Sequence, residues 1–116
     1  IKKRNLIAKI YQSNLQKSKY KLLVSKNPFY CNHYKQILLS RISRKKIEKT
    51  LNKNKISLTG GVYYTPLHRQ PIYKKQLKKY KLPMTDYFCN NHFCPPCYPE
   101  LSKQDIDRIC TVLLTI

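Results

Sequence analysis

Acidic residues are scarce in this chain of 116 residues: five Asp and Glu stand against 24 Lys and Arg, a formal net charge of +19. Glycine is scarcer still, with two in the whole sequence, and tryptophan is absent. No apolar run reaches the ~18 residues that a membrane span needs, so no transmembrane helix is expected. The N-terminus, Ile1-Lys2-Lys3-Arg4, has neither an initiator Met nor the apolar stretch of a signal peptide, and the expectation is a piece of a longer chain. Against these absences, 41% of the residues are apolar and ten are tyrosine, enough to bury the modest core of one domain, residues 1–116.

The excess of positive charge invites a nucleic-acid reading, because clustered Lys and Arg displace counterions from phosphates. The kind of cation weakens it. Nineteen of the 24 basic residues are Lys, whereas readers of grooves and bases lean on the bidentate guanidinium of Arg. Lys, Ile, Asn and Tyr share AT-rich codons, so genome composition can supply much of the charge without selecting a partner. A stand-alone Lys-rich module that binds nucleic acid therefore stays as the alternative reading.

Five cysteines, an odd number without a secretion signal, read as reduced thiols in the cytoplasm. Cys89, His92, Cys94 and Cys97 form C-x2-H-x-C-x2-C, four soft ligands of the kind a structural zinc takes. The spacing opposes a zinc site. Paired ligands normally lie a dozen or more residues apart, so that two turns close on the metal, and here Pro95 and Pro96 stiffen one crowded segment. Buried thiols acting as small hydrophobes are expected instead, with no metal site.

Periodicity gives the elements. Leu6, Ile7, Ile10, Tyr11 and Leu15 predict an amphipathic helix over 1–16. Asn27-Pro28 marks a turn, Tyr34 to Ser40 reads as a short strand, and Ser43 caps a helix to about Asn54 with Ile47 and Leu51 as its buried pair. Gly60-Gly61 allows a tight or left-handed backbone, followed by Val62-Tyr63-Tyr64 as a strand stopped by Pro66. After a Lys-rich loop, Pro83 opens a short helix through about Asn91, and His92 to Pro96 is extended. Ser102 and Asp105 form a capping box for a last helix with Ile106, Ile109, Cys110, Leu113 and Leu114 on its apolar stripe. The order predicts an α+β module, a small antiparallel sheet covered by helices, with the first and last helices on the sheet.

Three stretches resemble the C-terminal domain of the DegT/DnrJ/EryC1/StrS sugar aminotransferases, which are fold-type-I enzymes dependent on pyridoxal phosphate. KKRNLIAKIYQSNL is similar to the family's R-x-x-I-A-x-x-Y helix. KNKISLTGGVYYTPLHRQPIYK is similar to G-I-x-x-x-x-x-Y-x-P-x-H-x-Q-P. LPMTDYFCNNHFCPPCYPELSKQDIDRICTVL resembles hP-x-A-E-x-h-x-x-x-h-h-x-L-P-h-Y-P-x-L-T, with h apolar, and its helical continuation. The chain departs from these patterns at Thr85-Asp86 and at Cys94-Pro95-Pro96-Cys97.

The resemblance implies that this module follows a larger domain, absent here, which binds most of the pyridoxal 5'-phosphate and supplies the Schiff-base lysine. The fragment alone would then be inactive and hold no catalytic residue. It further implies a cytoplasmic homodimer that moves an amino group from an amino acid, typically glutamate, to a nucleotide-linked keto sugar, with the coenzyme as electron sink. Tyr64, His68 and Arg69 are the candidate substrate-binding residues. His68 would donate to a sugar hydroxyl or phosphate, and Arg69 would pair with a diphosphate. Tyr98, Pro99 and Leu101 would fix the approach to the last helix.

Overall fold

Three helices carry the apolar periodicity. The computed structural model, which describes residues 1–23, 35–77 and 79–116, places α1 at Lys2–Leu15, α2 at Arg44–Lys53 and α5 at Lys103–Leu114. Ile7, Ala8, Tyr11 and Leu15 are the buried face of α1. Leu6, expected on that stripe, is exposed, because the buried arc is centred one position further on. In α2 the Ser43 side chain accepts the Lys46 N–H, and Ile47 and Leu51 are buried as expected. The Ser102–Asp105 capping box opens α5, which buries Ile106, Ile109, Cys110 and Leu113. Leu114, counted on that stripe, turns out to solvent.

The end of α2 is built without glycine. Lys55 adopts φ 58, the Lys55 N–H donates to the Asn52 carbonyl, and the Ile56 N–H reaches back to Leu51. This is the left-handed stop of a Schellman motif, and Ile56 and Leu51 are both buried in the same apolar cluster.

The sheet has three antiparallel strands in the order β1-β2-β3, formed by Lys21–Leu23, Ile37–Leu39 and His92–Phe93. Leu22 pairs with Leu38, and Leu38 with Phe93. The expected strand at 34–40 is thus narrower, and Tyr34 and the Asn27-Pro28 turn lie outside the described residues. β1 comes from a stretch whose pattern is irregular. Val62-Tyr63-Tyr64 is not a strand but a bent loop: the side chains favour extended chain, yet Gly60, at φ 75, turns the backbone.

A 3-10 turn, Leu67–Arg69, and α3, Lys74–Leu77, occupy the region read as loop, and α4, Pro83–Asn91, begins on its proline. α1 packs on α5 and on β1, while α2 packs on α5. Leu38 and Phe93 of the sheet join Tyr11, Leu15, Ile47, Ile106 and Leu113 in one core. The segment after β3 is tied to the first helix: Tyr11 donates to the Pro96 carbonyl at 2.9 Å and Arg4 to that of Cys97 at 2.8 Å. The R-x-x-I-A-x-x-Y spacing therefore places two polar anchors and two buried apolar residues on one helix.

Candidate functional site

The loop from Thr59 to Tyr64 is held at Thr59, Gly60, Gly61, Val62 and Tyr64. The Thr59 N–H donates to the Cys94 carbonyl at 3.1 Å. The Lys35 ammonium donates to the carbonyls of Thr59, Gly60 and Gly61 at 3.2, 3.5 and 3.2 Å. The Val62 N–H donates to Nε2 of His92 at 2.9 Å. Tyr64 closes the loop from above: a Cβ on Gly61 would lie 2.1 Å from its ring, so glycine there makes room for the aromatic.

Tyr64 lies over the His92 ring with centroids 5.8 Å apart, and the Arg44 guanidinium sits 4.0 Å from its centroid. Arg44 also donates to the carbonyls of His92 and Cys89, which joins α2 to α4 and β3. About half of Tyr64 remains exposed. Tyr63 is more exposed still.

His68 and Arg69 form a second group, separate from Tyr64 in the contacts they make. The 3-10 turn buries His68 and sets its Nε2 3.2 Å from Oδ1 of Asp86 on α4. Arg69 grips the same carboxylate with both arms, Nε to Oδ1 and Nη2 to Oδ2, each at 2.7 Å. The hydrogen bond from Arg69 holds the Asp86 carboxyl below the usual carboxylate range, and the carboxylate in turn raises the guanidinium. His68, Arg69 and Asp86 line an open cleft of about 790 Å³ together with Leu77, Tyr80, Lys81, Leu82 and Pro83.

The sequence reading noted Asp86 only as a departure from the family pattern and not as a site residue. The signals were that pattern's acid at the same position and rarity, since Asp86 is the one acidic residue between Glu48 and Glu100. The pairing also shapes what the two side chains offer. The His68 tautomer that donates Nε2–H to Asp86 has its lone pair on Nδ1. Arg69 spends its fork on a carboxylate of its own chain.

The four described cysteines are packed as small hydrophobes. Cys89, Cys94, Cys97 and Cys110 are free and buried. Burial pushes the thiols of Cys94 and Cys110 up, the latter to about 11. Among the described residues no three His, Cys, Asp or Glu side chains are placed to hold a metal ion. Among them, too, no helix is long and apolar enough to cross a membrane.

Taken by themselves, the described residues offer pyridoxal phosphate no sheltered imine-forming lysine. An imine-forming lysine needs to be sheltered and able to lose its proton, whereas the described lysine side chains are exposed apart from Lys35. Lys35 is half-buried and is engaged with the carbonyls of Thr59, Gly60 and Gly61.

Solved structures share this architecture. A sugar aminotransferase, Spr1654 from Streptococcus pneumoniae, matches at 24% identity with a TM-score of 0.81 over 98% of this chain and 30% of its own. PseC from Helicobacter pylori, an aminotransferase involved in pseudoaminic acid biosynthesis, matches at 18% identity with a TM-score of 0.83 over 98% and 32%. A Brucella abortus aminotransferase matches at 24% identity, TM-score 0.81, over 97% and 30%. The chain thus spans about a third or less of the length of these structures. No curated protein matches it significantly. The family model for the DegT/DnrJ/EryC1/StrS aminotransferases, however, matches residues 1–114. With that match running through the α1 anchors, the Tyr64–His68 segment and the capped last helix, the chain belongs to the DegT/DnrJ/EryC1/StrS aminotransferase family.

Proposed function

We propose that this chain is the C-terminal, substrate-side domain of a pyridoxal-phosphate-dependent nucleotide-sugar aminotransferase. The amino donor is an amino acid such as glutamate, and the acceptor is a keto sugar carried on a nucleotide. The observation that carries the reading is the family match over 1–114, in a chain that spans about 30% of a structural relative known in both PLP and PMP forms. The coenzyme and its lysine then belong to a companion larger domain, and the complete protein is a cytoplasmic homodimer. Free, buried cysteines agree with a reducing compartment.

Within this reading the chain's own residues bind and orient. His68, fixed by Asp86, accepts a hydrogen bond from a sugar hydroxyl through Nδ1. Tyr64 offers a ring edge and a phenol from the braced loop. Arg69 fixes Asp86 and contributes positive potential to the cleft, more than a bidentate grip on a diphosphate. The test is turnover of the complete protein with glutamate and a panel of nucleotide-linked keto sugars, followed as 2-oxoglutarate release. Amination of at least one sugar that falls about tenfold or more in kcat/KM on His68→Ala supports the reading. No amination across the panel overturns it, and unchanged kinetics in His68→Ala removes that residue from the site.

A further inference from the structure

His92 occupies a position that is apolar in the family pattern quoted above, yet it is fully buried with both ring nitrogens engaged. Nδ1 lies 2.8 Å from the Phe88 carbonyl, and Nε2 lies 2.9 Å from the Val62 nitrogen. A carbonyl only accepts and a backbone N–H only donates, so Nδ1 carries the proton and Nε2 the lone pair. The ring is stacked on Phe88, with centroids 4.7 Å apart and planes 5° apart, while Tyr64 covers it from the loop. One imidazole thus links α4, β3 and the only loop that contains the two glycines.

We propose that His92 is a positioning residue: its neutral imidazole clasps the Gly60–Tyr64 loop through the Val62 N–H, and its protonation releases the Val62 end of that loop and the Tyr64 it carries. A protonated Nε2 has no lone pair and faces the Val62 donor, so the bond is not weakened but abolished. The charged groups around the ring favour the neutral form. Arg44 of α2 approaches through the His92 carbonyl and the Tyr64 ring, and Lys35 ahead of β2 binds the same loop. Phe88 and Cys89 of α4 contribute backbone carbonyls, Cys94 beyond β3 is a buried thiol, and no described carboxylate faces the ring.

Burial is the largest cause holding the imidazole below its ordinary value, and Arg44 and Lys35 act in the same sense against the Phe88 and Cys89 backbone. The clasp is therefore complete above the ordinary value of 6.5 and is lost as pH falls through the lower, folded value. The clasp itself is independent of the proposed function; only its consequence for substrate, through Tyr64, rests on that reading.

Hydrogen exchange of the Val62 amide in the complete protein, expressed relative to its intrinsic rate, tests the assignment. Protection is expected to fall on acidification. His92→Phe, which keeps the stack but has no acceptor, is expected to speed exchange about tenfold at neutral pH. His92→Gln, whose amide oxygen supplies a non-titrating acceptor, is expected to lose the acid-dependent fall. Full protection in a folded His92→Phe, or an acid-dependent fall that survives in His92→Gln, overturns the proposal. Should His92→Phe not fold, the ¹⁵N spectrum of the unsubstituted imidazole decides: a neutral ring protonated on Nδ1 supports the clasp, and one protonated on Nε2 overturns it. Loss of protection without change in kcat/KM would leave the clasp standing and take Tyr64 out of the substrate site.

Discussion

Asp86 organises more of the cleft than its size suggests, since one carboxylate receives Nε2 of His68 and both arms of Arg69. Asp86→Asn halves the acceptor capacity and removes the charge, so under the proposed function kcat/KM of the complete protein for its keto-sugar substrate is expected to fall about tenfold. Asp86→Glu, the acid of the family pattern, is expected to retain most of it. Because Arg69 lowers the Asp86 value, the pairing is present in full above 3.8 and fades as pH falls through the lower folded value. A ¹³C carboxyl titration with its midpoint below 3.8 checks this; a midpoint above it contradicts the pairing. Gly61 poses a different residue question. Its substitution by Ala would collide with the Tyr64 ring, but that ring is half exposed and can swing away. The expected result is a stability loss under about 1 kcal/mol with Tyr64 displaced from Arg44 and His92, visible as a change in tyrosine ring-current shifts.

Elements were legible in the sequence where burial follows a period. The helices around Tyr11, Ile47 and Ile109 were readable because each buries one face, and Ser43 and Ser102 announced their starts. Val62-Tyr63-Tyr64 failed because strand propensity reports side chains, whereas this loop is fixed by long-range bonds from Lys35 and His92 that no local window contains. The cleft divided in the same way: His68 and Arg69 lie together in a linear motif, while Asp86 is joined to them only by the docking of α4. The stop of α2 near Asn54 was readable but its means was not, because glycine normally takes the left-handed position and here Lys55 does. Lys55→Gly is expected to stabilise the fold by up to about 1 kcal/mol in denaturant unfolding, relief of the Cβ strain outweighing glycine's freedom in the unfolded chain. Ser102→Ala takes away the acceptor for the Asp105 N–H and is expected to cost about 1 kcal/mol by the same measurement, with little change in m.

Charge and apolar surface are laid out differently over the whole molecule. Lysines are spread along the chain, whereas among the described residues most of the exposed large apolar side chains fall between residues 62 and 87, among them Tyr63, Leu67, Ile72, Tyr80 and Met84. The same stretch carries His68, Arg69 and the cleft. A concentration of apolar surface next to an open cleft is what a domain that packs on a larger neighbour presents. The two readings of this chain then make opposite statements about salt. A net charge of +19 repels like copies, and salt screens that repulsion. If the apolar face belongs to a domain interface, the isolated 116-residue chain binds a hydrophobic dye and self-associates more as salt rises, while the complete protein does neither. If the lysines instead serve nucleic acid, the dominant salt effect is the reverse: binding weakens by orders of magnitude between about 50 and 200 mM, and no apolar association appears. Sedimentation of the isolated chain across that salt range, with and without RNA, separates the two, and the apolar stretch at 62–87 places the expectation on association that grows with salt.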